Sequence, residues 1–245
     1  MGVTWNVWHG CKKYSEGCRN CYVYRIDARN ERDASLIKKN ESTFYLPVSK
    51  NRKGEYKYPS GTTFYTCFTS DFFLKEADVW RADAWQIMRE RQDCFFFFIT
   101  KRIDRFSECA PPDWKENFRH VTVAVTCENQ KMADFRLPVY LSLNLERKVV
   151  ICEPLLEGIN LEKYLDMGID EVTVGGESGL EARVCRHEWI VDLRRQCIEN
   201  NVSFTFHQTG AKYLKDGKLY RIPKKYQHEQ AKRSGLDCAA KERNS

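Results

Sequence analysis

Short apolar runs rich in β-branched and aromatic residues recur along the chain at Val3 to Val7, Thr63 to Phe68, Phe95 to Thr100, His120 to Thr126, Lys148 to Cys152, Glu171 to Val174 and Val202 to Phe206. Their length and composition predict strands. Between them the apolar positions change period. Trp80, Ala84, Ile87 and Met88 fall at i, i+4, i+7 and i+8, and Ile190, Leu193, Cys197 and Ile198 line a second stripe that ends near Asn200-Asn201. Each stripe predicts an amphipathic helix covering a sheet. A shorter helix is predicted with Asn160 as its N-cap and Gly168 as its stop. Strands alternating with helices imply a parallel sheet. The expected fold class is therefore α/β, a partial or complete (β/α) barrel of about six to eight units, with a doubly wound sheet as the alternative.

Nearly every strand run is followed at once by polar residues or glycines: Thr69-Ser70-Asp71, Lys101-Arg102, Glu128-Asn129-Gln130, Glu153-Pro154, Gly175-Gly176-Glu177-Ser178-Gly179 and His207-Gln208-Thr209-Gly210. In parallel α/β folds the carboxyl ends of strands carry the site, and core packing alone does not ask for polar residues there. This repetition points to an enzyme. The segment 44–58 breaks the repeat, and its turn residues Asn51-Arg52-Lys53-Gly54 suggest an inserted hairpin or loop. Residues 1–211 are expected to form a single barrel-like domain, and 212–245 a basic C-terminal tail.

Charge supports that last boundary. The 245-residue chain has a net charge of +6, and from Lys212 onward ten Lys/Arg face four Asp/Glu, so the tail holds all of the excess. Tyr213, Tyr220 and Tyr226 are interleaved with its cations, a mixture suited either to a solvated surface or to gripping phosphates and stacking bases through residues 212–233. The eleven cysteines are spread over the whole length and no apolar N-terminal segment precedes them. They read as reduced thiols of a cytoplasmic protein. The longest apolar run, Phe95 to Ile99, is too short to span a bilayer, so no membrane anchor is expected.

Three of those cysteines stand together: Cys11, six residues, Cys18, two residues, Cys21, flanked by Gly10 and Gly17. Three thiolates on one loop can hold three irons of a 4Fe-4S cluster and leave the fourth iron open. A zinc site completed by His9 is the alternative, although zinc knuckles usually show two short Cys pairs and this loop has one. The remaining cysteines, including Cys67, Cys127 and Cys152 near strand ends, read first as small buried hydrophobes.

Thr4-Trp5-Asn6, Gly10-Cys11, Ser15-Glu16-Gly17-Cys18, Cys21-Tyr22, Thr69-Ser70-Asp71, Thr100-Lys101-Arg102, Thr126 with Glu128-Asn129-Gln130, Glu153-Pro154-Leu155-Leu156, Val174 to Gly179, and Gln208 with Gly210 form a set that covers nearly the whole chain. With them the chain resembles a phage and mobile-element three-cysteine protein family of unassigned substrate, related to the radical SAM superfamily. The resemblance implies a barrel of radical SAM type, with a 4Fe-4S cluster held by Cys11, Cys18 and Cys21. It also implies S-adenosyl-L-methionine bound through its amino and carboxylate groups and cleaved reductively to a deoxyadenosyl radical. An external electron donor follows from that chemistry, and the mobile-element context suggests a partner protein from the same element. The first cysteine gap is six where the superfamily's commonest gap is three, and Tyr22 follows the third cysteine where an aromatic residue usually precedes it. The Gly175-Gly176-Glu177 element follows a late strand where the superfamily's follows the second.

Under this resemblance Tyr22, Ser70, Asp71, Lys101, Glu128, Asn129, Glu153, Gly175, Gly176, Glu177, Ser178 and Gln208 are the expected cofactor-binding residues. Asp71 reads equally as a helix cap and Lys101-Arg102 as a surface ion pair, while a helix start at Glu128-Asn129 and a tight turn at the two glycines are the lesser alternatives. His207 reads as a satisfied histidine outside the site. Two rival functions remain: a zinc-stabilised nucleic-acid-binding module, and a cluster-bearing protein that no longer cleaves S-adenosyl-L-methionine. The substrate stays open, with nucleic acid or another macromolecule as a candidate.

Overall fold

The computed structural model describes residues 1–241; residues 242–245, the end of the expected basic tail, lie outside the described residues. Seven strands form the main sheet: β1 (Gly2–Trp5), β2 (Thr63–Thr66), β3 (Phe95–Thr100), β4 (Val121–Thr126), β5 (Val149–Cys152), β6 (Glu171–Gly175) and β7 (Ser203–Gln208). Their order in the sheet is their order in the chain. The pairs β1 with β2, β2 with β3, β5 with β6 and β6 with β7 are all parallel. A doubly wound sheet reverses its strand order at a switch point. This sheet never does, so the fold is α/β with the sequential strand order of a partial (β/α) barrel. Among the described residues no helix is long and apolar enough to cross a membrane.

The chain divides into two compact units, the first made of Met1–Tyr14, Val23–Ala124 and Asn144–Glu146, the second of Ser15–Tyr22, Val125–Leu143 and Arg147–Ser245. The first unit packs an aromatic core. Phe64 stacks on Phe96 at 5.2 Å and Phe72 on Phe98 at 4.5 Å, with Trp85 edge-on to Phe72 at 4.7 Å. Trp85 comes from α2 (Asp78–Glu90), which buries Ala84, Ile87 and Met88 as the stripe requires. Strand β2 stops two residues short of the predicted run because Cys67 takes a left-handed φ of 64° and turns the chain. The 44–58 insertion is a loop with one bridge pair, Lys50 with Tyr56, closed over Gly54 at φ 82°. Fully buried Arg91 fastens it, donating to the carbonyls of Pro47 and, at 2.7 Å, Tyr58.

In the second unit α3 (Gln130–Ser142) and α4 (His187–Glu199) accompany β5 to β7. Helix α4 buries Ile190, Leu193 and Cys197, while Ile198, expected on the same stripe, is 48% exposed. The shorter helix is a single turn, Glu162–Leu165; Asn160 Oδ1 accepts from the Glu162 amide at 2.9 Å and Gly168 follows at φ 91°. The basic segment after Ala211 is built into this unit. Strands β8 (Lys212–Lys215) and β9 (Lys218–Arg221) form a hairpin that also pairs with Cys185–Arg186, and α5 (Lys224–Arg233) follows. Beyond α5, Cys238 exchanges backbone hydrogen bonds with Phe204 at 2.8 and 2.9 Å.

Candidate functional site

In the first unit Cys11 follows a sharp turn at Gly10, where φ is +89° and a Cβ would lie 2.3 Å from the Leu36 carbonyl oxygen. Only glycine fits there. The Gly10 carbonyl accepts from the Ser70 hydroxyl, the Cys11 amide donates to the Ala34 carbonyl at 2.8 Å, and the Cys11 carbonyl accepts from the Tyr24 hydroxyl at 2.6 Å. Buried Asp71 is the hub beneath. One carboxylate oxygen accepts from Thr100 Oγ1 at 2.8 Å and the Phe73 amide at 3.0 Å, the other from the Lys101 amide at 3.0 Å and Arg102 Nη1 at 3.1 Å. Held in this way, Arg102 donates to the Lys12 carbonyl at 2.5 Å and stands 3.9 Å from Cys11 Sγ. His9 Nε2 pairs with buried Asp27 at 2.6 Å.

The second unit holds Cys18 and Cys21 on the segment Ser15–Tyr22, which opens with a 3₁₀ turn over Glu16–Cys18. Two carboxylate–arginine pairs clasp it. Glu128, just past β4, is fully buried against equally buried Arg136 of α3, with Nη1 to Oε2 at 2.6 Å. The other oxygen of Glu128 accepts from the Ser15 hydroxyl and, at 3.1 Å, the Gly17 amide; Arg136 adds Nη2 to Ser15 Oγ at 3.0 Å. A Cβ on Gly17 would press on Glu128 Cδ at 3.0 Å.

The second clasp follows β6. Glu177 accepts from Arg183 Nη2 at 2.6 Å, from the Arg183 amide at 2.9 Å and from Asn20 Nδ2 at 3.0 Å, and Arg183 reaches on to Glu16 Oε1 at 2.8 Å. Burial works against ionising Glu177, but these donors outweigh it and hold its carboxyl below the ordinary glutamate value. The residues around Cys18 and Cys21 are thus fixed from both sides.

A third cluster lies at the ends of β5, β6 and β7. Glu153 accepts from Gln208 Nε2 with one oxygen and meets His207 Nδ1 at 2.8 Å with the other. Successive strand residues point to opposite faces, so two neighbours reaching one carboxylate needs an irregularity. The register of β7 against β6 shifts between Phe206 and Gln208, leaving His207 as the extra residue. A bulge of this kind re-aims a side chain. The carboxylate of Glu153 raises the His207 pKa. Gly175 makes room for Glu153, since a Cβ there would stand 2.5 Å from Oε2, and Gly176 passes so close to Thr209 that a Cβ would meet its carbonyl oxygen at 2.3 Å.

Among the other expected residues, Asn129 caps α3, its Oδ1 accepting from the Met132 amide at 2.9 Å. Tyr22 opens α1 (Tyr22–Arg29) and is 44% exposed, and Ser178 and Lys101 are half-buried. Sequence reasoning missed Arg136, Arg183, Ser15 and Asn20 as site residues, and His207 as a member of a cluster. The signal for Arg136 was a charge on the stripe Ala133, Arg136, Leu137 and Tyr140, all buried. For Arg183 no local signal exists, because it lies in an irregular loop.

The donor chemistry suits an iron-sulfur cluster. Cys11, Cys18 and Cys21 are half-buried thiols outside any disulfide, whereas seven of the other cysteines are buried. For Cys67 and Cys152 burial pushes the thiol pKa well up, and for Cys185 to about 12. Buried, protonated thiols of that kind are poor ligands. Among the described residues no three His, Cys, Asp or Glu side chains already stand as one metal-holding group.

Among solved structures the chain is similar to a mutant of spore photoproduct lyase, at 11% sequence identity and a TM-score of 0.45, over 93% of this chain and 70% of that one. None of the curated proteins compared matches it. A family profile described as "Protein of unknown function (DUF5131)" matches residues 1–241, and the chain belongs to that family.

Proposed function

We propose that the chain is a radical SAM-like iron-sulfur enzyme, with a 4Fe-4S cluster on Cys11, Cys18 and Cys21 and S-adenosyl-L-methionine at the iron those thiols leave open. The observation that carries this reading is that the three half-buried thiols of the motif sit on backbone held by three carboxylate–arginine pairs. Ligands need a preorganised first shell supported by a second. When bound, the cluster and S-adenosyl-L-methionine supply one-electron reductive cleavage of the sulfonium.

The chain's own residues divide into two groups in this reading. Asp71 with Arg102, Glu128 with Arg136 and Glu177 with Arg183 are positioning pairs: they orient the backbone around the cysteines, and Arg102 sets a positive charge beside Cys11 Sγ. Glu153, Gln208 and the backbone of Gly175 and Gly176 remain as contacts for cofactor or substrate, together with Tyr22, Ser70, Lys101, Asn129 and Ser178. His207 joins them through its bond to Glu153.

The test is anaerobic reconstitution followed by iron and sulfide analysis, EPR of the reduced protein with and without S-adenosyl-L-methionine, and an assay for deoxyadenosine. The expected result is about four irons per chain, a signal perturbed by S-adenosyl-L-methionine, and deoxyadenosine among the products. Iron content should collapse in Cys18→Ala; unchanged iron in that variant removes the ligand assignment. Stoichiometric zinc without iron replaces the reading with the zinc-stabilised binding module. A cluster with no deoxyadenosine formed leaves a protein that keeps the cluster without the cleavage.

A further inference from the structure

The C-terminal part of the second unit carries charge that its own fold leaves unanswered. Strands β8 and β9 are joined by Asp216 and Gly217, at φ 51° and 72°, the two left-handed positions of a tight hairpin turn. The register this turn sets places Lys212 opposite Arg221 and Lys215 opposite Lys218. Like charges directly opposite one another weaken a ribbon. Among the described residues neither these four nor Lys224 and Lys225 at the start of α5 have an ion-pair partner, whereas Arg233 farther along α5 pairs with Glu229 at 2.6 Å. Asp216 sits in the turn between Lys215 and Lys218, yet among the described residues no carboxylate forms an ion pair with any of the six.

Aromatic rings stand among these cations. Tyr220 and Tyr226 are 41% and 42% exposed, with Lys218 Nζ 5.1 Å from the first ring centroid and Lys225 Nζ 4.6 Å from the second. Cations that track a phosphate backbone, with exposed rings on which bases stack, are the two components of single-strand binding surfaces.

The same element is fastened to the Glu153 cluster. The Gln227 carbonyl accepts from the Thr209 amide at 3.3 Å, His228 Nδ1 bonds to the His207 carbonyl at 3.0 Å, and the two imidazoles meet edge to face at 4.5 Å. His207 is the bulged residue that holds Glu153.

We propose that β8, β9 and α5 form a binding surface for single-stranded nucleic acid, which ends at the Glu153–His207 cluster and makes a single strand the substrate class of this protein. The binding stands by itself; its reading as substrate recognition rests on the enzyme proposed above.

The experiment is fluorescence anisotropy of the full chain, both cofactor-free and reconstituted, against a labelled single-stranded DNA and the matching RNA of about 20 nucleotides, over a series of salt concentrations. Affinity should fall linearly with salt on logarithmic axes. Lys218→Gln with Arg221→Gln should reduce the steepness of that line by about 1.4, at roughly 0.7 per phosphate contact. Tyr220→Ala with Tyr226→Ala should weaken binding about tenfold or more at an unchanged slope. The charge-conserving pair Lys218→Arg with Arg221→Lys should keep the wild-type slope, and circular dichroism checks that each variant is folded. Unchanged affinity and slope in both the neutralised pair and the tyrosine pair overturns the proposal. So does tighter binding to the duplex of the same sequence, or binding to phosphatidylserine vesicles with none to the oligonucleotides. Because the cofactor-free chain is measured too, failure of reconstitution and failure of nucleic-acid binding are read separately.

Discussion

The Ser15–Tyr22 segment and the hairpin with its following helix belong to the same unit and handle charge in opposite ways. Around the cysteine segment the buried carboxylates of Glu128 and Glu177 each meet an arginine, and each pair adds hydrogen bonds to the segment's backbone or to Ser15, Glu16 and Asn20. A buried charge is tolerable when it is paired and hydrogen-bonded in this way. In the hairpin, lysines and an arginine face one another, and among the described residues none of them has an ion-pair partner. Buried, paired charge of the first kind fixes a backbone and has little left to offer a ligand. Exposed, unpaired charge of the second kind contributes little to the fold and remains open to an outside partner. Glu128 and Glu177, read from the sequence as cofactor contacts, are tied here to arginines and to the cysteine segment, whereas the hairpin and α5 present most of their cations to solvent.

The largest expected effect breaks the scaffold side of this contrast. Arg136→Met leaves Glu128 buried and unpaired and should cost about 3–5 kcal/mol in urea unfolding. The double variant with Glu128→Leu should recover much of it, because two matched apolar groups carry no uncompensated charge. A loss below about 1 kcal/mol, the scale of an exposed pair, would show that the pair does not anchor the loop.

The next effect is pH-dependent. The folded-state pKa of Glu177 lies below its ordinary value, so its contribution is present above the unfolded-state pKa and is lost as pH falls through the folded one. Unfolding free energies taken downward from about pH 5, past the ordinary glutamate value, should fall more steeply in the wild type than in Arg183→Gln. Parallel curves would assign the acid sensitivity elsewhere. His207 runs the other way. Its hydrogen bond to Glu153 raises its folded-state pKa, so its contribution is full below the ordinary histidine value and is lost as pH rises through the raised one. A stability decline from about pH 6.5 upward that is absent in Glu153→Gln is the expected result, and NMR titration of the His207 ring checks it directly.

The smallest effect sharpens the recognition side. Lys218→Glu turns a like-charge pair with Lys215 into an opposite pair, and should stabilise the protein by about 0.2–1 kcal/mol while weakening oligonucleotide binding. Destabilisation by this change would contradict the hairpin register.

Much of the fold was legible from local pattern. All seven strand runs appear in the sheet, and both amphipathic stripes became helices, because burial on a sheet imposes a period that sequence records. The misses were local conflicts. Cys67 in a left-handed conformation ends β2 early, and Ile198 lies beyond the buried face of α4. In the candidate site the cysteines were legible from spacing and the carboxylates from their positions after strands. Their roles were not. Arg136 meets Glu128 across eight residues and one helix, and Arg183 meets Glu177 through a loop of no regular period. The basic segment showed the reverse failure: its composition was plain, yet its charge suggested a tail, and the tight turn at Asp216-Gly217, which builds it into the unit, carried the missing information.

The sequence by itself determined the order of strands and helices, the three thiols on one short segment, the polar residues after each strand and the excess of cations after Ala211. Each of these depends on neighbours within a few positions. Only the tertiary structure decided that Asp71, Glu128 and Glu177 are each matched to an arginine, that a bulge turns His207 onto Glu153, and that hairpin cations stand opposite one another. Those outcomes depend on which distant groups share a buried space and on strand register, and a desolvated charge takes its role from the partner that the completed fold brings to it.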